Sequence, residues 1–252
     1  MESTAKVISF EDRLKVINGK KKEKIASGQR SRAGERKTMT PFTLEEIEAI
    51  TQAAKIWVSD APSLDKLRYR SSTVLGFIIG INCGLRASDL ILLKWSDFFY
   101  DETTFTKMVQ IVEQKTGKRK NFPLNNAVKD AICWYLETVG GIDDLDGWVF
   151  ASRQRNPKTG KYGHISLDTL AKRNKELVNG VAQIKRQVAT HNMRKTFAHQ
   201  QILAHRDDAV FMEVLSQLLN HSDVKVTRRY AMISEAEYEG LYNDVNLGNI
   251  KD

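Results

Sequence analysis

Four side chains late in the chain have the types and spacing to do chemistry on a phosphate: His191, Arg194, His221 and Tyr230. His191 and Arg194 are three residues apart, so a helix that holds both presents them on one face. Thr190 is placed to cap that helix. Both side chains then fall in its first turn, where backbone N–H groups and the dipole favour an anion. Tyr230 follows His221 by nine positions, across a turn expected at Asn220 and a new helix starting at Ser222 or Asp223. Two histidines, an arginine and a tyrosine make a poor metal site. They suit a site in which cations hold a phosphate while a phenolic oxygen attacks it.

The rest of the chain is large enough to position them. Its 252 residues are 41% hydrophobic, which provides a sizeable core, and four prolines with 15 glycines exclude a fibrous or low-complexity protein. The formal net charge is +8 and is unevenly spread, because residues 1–38 carry 11 Lys/Arg against 5 Asp/Glu. A basic balance of this kind suits a polyanionic partner. Cys83 and Cys133 sit in apolar helical contexts without C-x-x-C spacing, and are expected to be buried free thiols in a reducing cytosol. No apolar run reaches membrane-spanning length and the N-terminus has no apolar h-region, so a soluble, cytoplasmic protein is expected.

Taken in order, the chain divides into a basic arm or linker (1–39), a main domain (40–232) and a C-terminal helix and tail (233–252). Lys20-Lys21-Lys22-Glu23-Lys24 in the arm suits either a solvated tail or contact with DNA phosphates. Thr43-Leu44-Glu45-Glu46 is a capping box that opens a helix with Ile47, Ile50, Ala54 and Trp57 at helical spacing. A second helix is predicted over about 65–83, with Leu67, Val74, Leu75, Ile78 and Ile81 inward. Arg86 follows at the start of the next helix, where Asp89, three residues on, is placed to hold its guanidinium. From Phe98 to Leu124 the period changes to two. Met108, Gln110 and Val112 alternate with Val109, Ile111 and Glu113, and Lys115-Thr116-Gly117-Lys118 reads as a hairpin turn. Lys118, Arg119 and Lys120 are expected to meet phosphates or solvent. Asn125 or Asn126 caps a helix ended by Gly140-Gly141. Trp148-Val149-Phe150 reads as a short buried strand and 153–163 as a basic loop. Ser166 opens a helix with Leu167, Leu170 and Leu177 inward and Lys172, Arg173 and Lys175 outward, where they suit either solvent or DNA. Ser234-Glu235-Ala236-Glu237 opens a terminal helix carrying Tyr238, Leu241 and Tyr242.

Residues 40–232 resemble the catalytic domain of the tyrosine recombinases, the phage integrases and their relatives. The family's H-x-x-R, L-G-H and late tyrosine correspond to His191, Arg194, His221 and Tyr230. Its G-L-R-x-x-E-L…L-x-W-x-D corresponds to the segment Gly84-Leu85-Arg86-Ala87-Ser88-Asp89-Leu90 through Leu93-Lys94-Trp95-Ser96-Asp97. Its hairpin K-T-G-x-x-x-x-x-P-L corresponds to Lys115-Thr116-Gly117 through Pro123-Leu124. Two departures stand out: Asn220 replaces the glycine of L-G-H, and the interval from Arg194 to His221 is a few residues longer than usual, around 204–208. Neither touches a reactive group.

The resemblance implies a mainly α fold with a small antiparallel β-hairpin. It implies catalytic roles for Arg86, Lys115, His191, Arg194 and His221, with Tyr230 as nucleophile and Asp89 in support. It implies a site-specific DNA recombinase of integrase or invertase type that serves a mobile genetic element, cleaving double-stranded DNA through a 3′-phosphotyrosine. A phosphotyrosyl bond keeps its energy for re-ligation, so neither metal nor nucleotide cofactor is required. The family further implies a homo-oligomer, dimer to tetramer, on DNA near the nucleoid, with a C-terminal segment exchanged between protomers. The separate core-binding domain of full-length members is not expected within 1–39, which is too short for it, so either a short-form or a truncated member is expected. Two other readings share the sequence: a type IB topoisomerase, which relaxes any supercoiled plasmid, and a catalytically idle DNA-binding accessory protein, against which the intact Tyr230 and both arginines argue.

Overall fold

The computed structural model describes residues 39–228, apart from 102, 156–157, 161, 206–207, 209 and 222. The expected basic arm, Tyr230 and the expected terminal helix with Tyr238, Leu241 and Tyr242 lie outside the described residues. In chain order the elements are α1 (Leu44–Ser59), α2 (Leu64–Cys83), α3 (Ala87–Leu90) and α4 (Trp95–Phe98); then β1 (Val109–Val112), β2 (Arg119–Phe122), α5 (Asn126–Val139), β3 (Ala151–Arg155) and β4 (Tyr162–His164); and finally α6 (Leu167–Lys175), α7 (His191–Ala204), α8 (Phe211–Leu218) and α9 (Val224–Arg228). A π-helical turn, Glu176–Val181, continues α6. The fold is mainly helical, with two small antiparallel hairpins.

Helix starts form where local capping dictates. Thr43 Oγ1 accepts from the Glu46 N–H at 3.1 Å and Glu46 Oε2 accepts from the Thr43 N–H at 3.2 Å, so two donors left open at the start of α1 are met reciprocally. Ser63, Asn125 and Ser166 cap α2, α5 and α6 through their side chains. α7 differs from expectation. Thr190 is itself helical and makes no capping bond; instead the Asn192 side chain reaches back and accepts from the Ala189 N–H at 2.6 Å.

α2 is the helix on which the others pack. Ser71 to Phe77, Ile79, Gly80 and Cys83 are all buried, whereas of the stripe expected from Leu67, Val74, Leu75, Ile78 and Ile81 only Val74 and Leu75 are fully buried and the other three partly. α1, α5, α6 and α7 lie against it. Gly80 and Gly84 admit α7: a Cβ on Gly80 would lie 2.4 Å from Met193 Sδ, and one on Gly84 would lie 2.3 Å from Phe197 Cδ1. Gly84 also ends α2 in the left-handed conformation, φ 59°. Gly84→Ala is therefore expected to cost at least ~2 kcal/mol, from the backbone conformation and the displaced Phe197 together. Denaturant unfolding of the two proteins measures this, and an unchanged midpoint would count against so tight an α2–α7 contact.

The chain before α1 is fastened to α7 as well. Phe42 N–H donates to Thr196 Oγ1 at 2.8 Å, Asn192 Nδ2 to the Thr40 carbonyl at 2.8 Å and Lys195 Nζ to the Met39 carbonyl at 2.7 Å. Arg186 adds bonds to Thr40, Pro41 and Glu46 while its guanidinium covers the Phe42 ring. Met193 belongs to the main core; Phe197 and Ala198 pack with Leu215 and Leu219 in a smaller apolar cluster of α7 and α8. α7 is thus the seam between the two, and His191 and Arg194 sit at its start.

Several expectations are corrected. Trp148 makes a single bridge to Lys94, and Val149 and Phe150 form a turn rather than a strand. The segment expected to be a basic loop contains the hairpin β3–β4. Leu167 is exposed, because it opens α6 instead of facing the core. Cys83 is a buried free thiol, but Cys133 is free and exposed. Among the described residues no helix is long and apolar enough to cross a membrane.

Candidate active site

Arg194 is the centre of the site. The residue is only 2% exposed, and a guanidinium that far from water must have its donors met. Nη1 donates to the Gly84 carbonyl at 2.7 Å and Nη2 to the Leu219 carbonyl at 2.6 Å. Nη2 also lies 3.3 Å from His221 Nε2. One side chain on α7 therefore ties the end of α2 to the turn before α9. Guanidinium can only donate, so His221 Nε2 is the acceptor and Nδ1–H points at Thr227 Oγ1, 2.8 Å away. Asn220 enters that turn in the left-handed conformation at φ 50°, as expected. Asp223 Oδ1 accepts from the Lys225 N–H at 2.8 Å and helps to open α9.

His191 stands at the first position of α7, exposed, three residues before Arg194. Partial burial, then the charges of Arg194, Lys195 and Arg86, pull its pKa down to about 4. His221 falls to about 4 from partial burial and the charges of Arg194 and Arg86. Both imidazoles are neutral at pH 7.

Arg86 precedes α3 and is reached by a partner other than the one expected. Its Nη1 lies 2.5 Å from Glu113 Oε1, at the end of β1. Asp89, expected to hold Arg86, instead accepts from the Gln114 N–H at 2.9 Å through Oδ1 and pins the hairpin. Asp89 lies on the first turn that follows Arg86, and its carboxylate is turned to the hairpin backbone.

The hairpin pairs Val109 with Phe122, Gln110 with Asn121, Ile111 with Lys120 and Val112 with Arg119. Lys115, Lys118 and Arg119 are exposed at its tip. Lys120, expected to meet phosphates or solvent, is buried at 5% exposure. It lies on the same face of β2 as Phe122, and its Nζ donates to the Cys83 carbonyl at 3.5 Å. Burial, then the nearby Arg194 charge, depresses its pKa to about 8 from 10.5. The folded chain thus gives up this proton before the unfolded chain does. Stability relative to Lys120→Met should rise with pH between about 8 and 10.5, by about 3 kcal/mol over the whole window. Denaturant unfolding of both proteins at pH 7.5 and 10 tests this, and parallel pH dependences would show that Lys120 is not the buried cation described.

On α6, Lys172 and Lys175 are exposed, but Arg173 is not. Its Nη1 donates to Ser72 Oγ at 3.2 Å and its guanidinium covers the Tyr69 ring at 4.8 Å. Arg173 sits three residues after Leu170 and four before Leu177, so it shares their inward face. Of the sequence-predicted residues, the structure therefore brings Arg86, His191, Arg194 and His221 within electrostatic reach of one another. Lys120 and Glu113 join that group without having been singled out for it. Lys115 is exposed on the hairpin tip, two residues after Glu113, and Tyr230 comes two residues after the last described one.

The site lies in a helical domain and groups two arginines with two neutral histidines beside a basic hairpin. The family model described as "Phage integrase family" matches residues 41–237, and the chain belongs to that family. A tyrosine recombinase XerD from Bradyrhizobium diazoefficiens is 29% identical over 164 residues, 65% of this chain and 49% of that protein. XerD from Staphylococcus aureus is 25% identical over 189 residues, 73% of this chain and 57% of its own length. This chain thus spans about half the length of these curated relatives. Among solved structures, the XerA recombinase aligns with TM-score 0.59 and 19% identity over 86% of this chain and 68% of its own. The XerH site-specific recombinase bound to a palindromic difH substrate aligns with TM-score 0.61 and 15% identity over 86% and 55%. At those identities the structures establish a shared fold.

Proposed function

We propose that this chain carries the catalytic centre of a site-specific DNA recombinase that breaks and rejoins double-stranded DNA through a 3′-phosphotyrosyl intermediate. The observation that carries the reading is Arg194, which gathers Gly84, Leu219 and His221 around one guanidinium beside His191 and Arg86. In this reading Arg86 and Arg194 take the non-bridging oxygens of the scissile phosphate, where a planar fork makes paired N–H bonds that an ammonium cannot. Tyr230 Oη attacks phosphorus as one of the neutral histidines accepts its proton. The bond from phosphorus to the 5′-oxygen breaks, and Lys115 protonates that oxygen as it leaves. A 5′-hydroxyl attacking the phosphotyrosine then reverses these steps and rejoins the strand.

Exposed Lys118 and Arg119 on the hairpin tip, and Lys172 and Lys175 on α6, supply non-specific phosphate contacts. Arg173 and Lys120 are left out of that set because both are buried. The solved relatives include a lambda integrase dimer on a core site and a tetramer on a Holliday junction. By analogy this chain assembles as two to four copies on paired DNA sites in the cytoplasm, at the nucleoid, integrating, excising or inverting a mobile element.

The test uses the full chain and a pool of randomised duplexes nicked near each candidate cleavage point, so that the cut fragment diffuses away and the intermediate is trapped. A protein–DNA adduct that survives denaturation, with defined sequences enriched in it, is the expected result. Relaxation of any supercoiled plasmid without sequence enrichment would instead point to a topoisomerase. Binding with no adduct would point to an accessory role.

A further inference from the structure

We propose that Asn192 and Thr196 are positioning residues that lash the segment 39–42 to α7 and so set the helix turn that presents His191 and Arg194. This rests on the catalytic reading above. Asn192 is 0% exposed and Thr196 1%. Polar side chains so far from water are unfavourable unless they are met. Asn192 Oδ1 accepts from the Ala189 N–H at 2.6 Å, and its Nδ2 donates to the Thr40 carbonyl at 2.8 Å. One neighbour only donates and the other only accepts, so a single orientation of the amide satisfies both. Thr196 Oγ1 donates to the Asn192 carbonyl at 2.8 Å and accepts from the Phe42 N–H at 2.8 Å. The bonds to Thr40, within α7 and to Phe42 close a ring, which joins stretches of chain 152 to 154 residues apart.

α7 turns three faces to its surroundings. Met193 and Phe197 lie against Gly80 and Gly84 at the end of α2. Asn192, Lys195 and Thr196 share a second face, on which Lys195 Nζ adds a bond to the Met39 carbonyl at 2.7 Å. His191 and Arg194 share the third, each one position before a residue that holds 39–42. Apolar packing on two glycines sets how close the helix lies, but it is non-directional and resists rotation weakly. Hydrogen bonds are directional, so the ring fixes the rotation as well. The segment it grips is held from elsewhere too. Arg186 donates to the Thr40 carbonyl at 2.5 Å and to Thr40 Oγ1 at 2.6 Å, and the buried Phe42 ring meets the Phe77 ring of α2 edge-on at 5.5 Å. A helix released from this lash is free to turn, and misplacing a phosphate-binding group by about 1 Å is enough to cost on the order of 100-fold in rate.

The experiment measures single-turnover cleavage by the full chain on the nicked duplex recovered from the randomised pool, well below the unfolding temperature, with DNA affinity and thermal unfolding followed separately. Asn192→Ala loses both side-chain bonds and should slow cleavage roughly 10- to 100-fold, with affinity within about twofold of the parent. Thr196→Val keeps the shape but not the hydroxyl, and should slow cleavage about threefold to tenfold. Thr196→Ser restores the hydroxyl and should cleave within about twofold of the parent, a rescue that a role in packing alone would not give. The double variant Asn192→Ala/Thr196→Val should be slowed by less than the product of the two, because both changes open one ring. Parent-rate cleavage by Asn192→Ala overturns the inference, and so does a Thr196→Ser protein as slow as Thr196→Val. Losses that multiply fully in the double variant defeat the single lash proposed. Should Asn192→Ala not fold, the two Thr196 variants decide, and parent-rate cleavage by Thr196→Val overturns the inference. A parent chain that forms no adduct defeats the catalytic reading and this inference together, whereas an active parent with unaffected variants defeats this inference alone.

Discussion

Tyr230→Phe is expected to form no covalent adduct with the nicked duplex while binding DNA within about twofold of the parent protein. A phenyl ring has no oxygen to attack phosphorus, so the loss is of the whole chemical step, where nucleophile removal in other enzymes costs on the order of 10⁶-fold. Binding should persist because affinity for DNA comes mainly from cationic contacts to phosphates, and these are unchanged. The assignment follows from chain order. His221 is fixed by Arg194 and Thr227, and α9 carries the chain from it as far as Arg228, two residues short of Tyr230. The adduct is measured by denaturing electrophoresis and peptide mapping. An adduct that survives in Tyr230→Phe would move the nucleophile to another tyrosine, with Tyr238 and Tyr242 the nearest in sequence.

The starts of the helices were legible because capping is local chemistry. Thr43, Asn125 and Ser166 each cap as their residue types and neighbours suggest. Thr190 failed as a cap because its own backbone is already helical. The turn begins a residue earlier at Ala189, whose carbonyl accepts from the Asn192 N–H and whose N–H donates to the Asn192 side chain. The strand expected at Trp148-Val149-Phe150 failed for another reason. A short apolar run says only that the residues are buried, and here they are buried in a bridge and a turn. The β3–β4 hairpin left no such signal, since both strands are mostly exposed and show no alternation.

The site shows the same division. His191, Arg194 and His221 were singled out by type and spacing and Arg86 by the family resemblance, and the structure places the four in one electrostatic group. What the motif could not show was which groups support them. Asp89 is closer to Arg86 in sequence than Glu113 is, yet the hairpin fold brings Glu113 to the guanidinium. The period-two pattern did contain the clue, because Val109, Ile111 and Glu113 share a face and Lys120 shares one with Phe122. A charged residue on an inward face of a short hairpin is costly unless paired, and so marks a partner to be sought. Arg173 carried the parallel clue on α6, between Leu170 and Leu177.

Arg194→Lys is expected to damage cleavage and architecture together. The ammonium has three donors around one nitrogen, whereas the present guanidinium spans from the Gly84 carbonyl to the Leu219 carbonyl and His221 Nε2. At least one of those buried acceptors would lose its donor, at a cost of about 1–3 kcal/mol. The Leu219–His221 turn packs through Leu219 and Leu215 on the smaller apolar cluster, so loosening it should displace His221 without unfolding the main core around α2. The cleavage rate should fall about 10²- to 10³-fold, the range seen when one preorganised donor to a developing oxyanion is removed. His221 should also titrate closer to its ordinary value, because Arg194 is the largest charge acting on it and its departure from Nε2 weakens that repulsion. Three measurements therefore move together: single-turnover cleavage, unfolding free energy and the His221 titration followed by NMR. A variant that loses cleavage with both stability and the His221 titration unchanged would limit Arg194 to contact with phosphate. A variant that cleaves normally would remove it from the centre of the site.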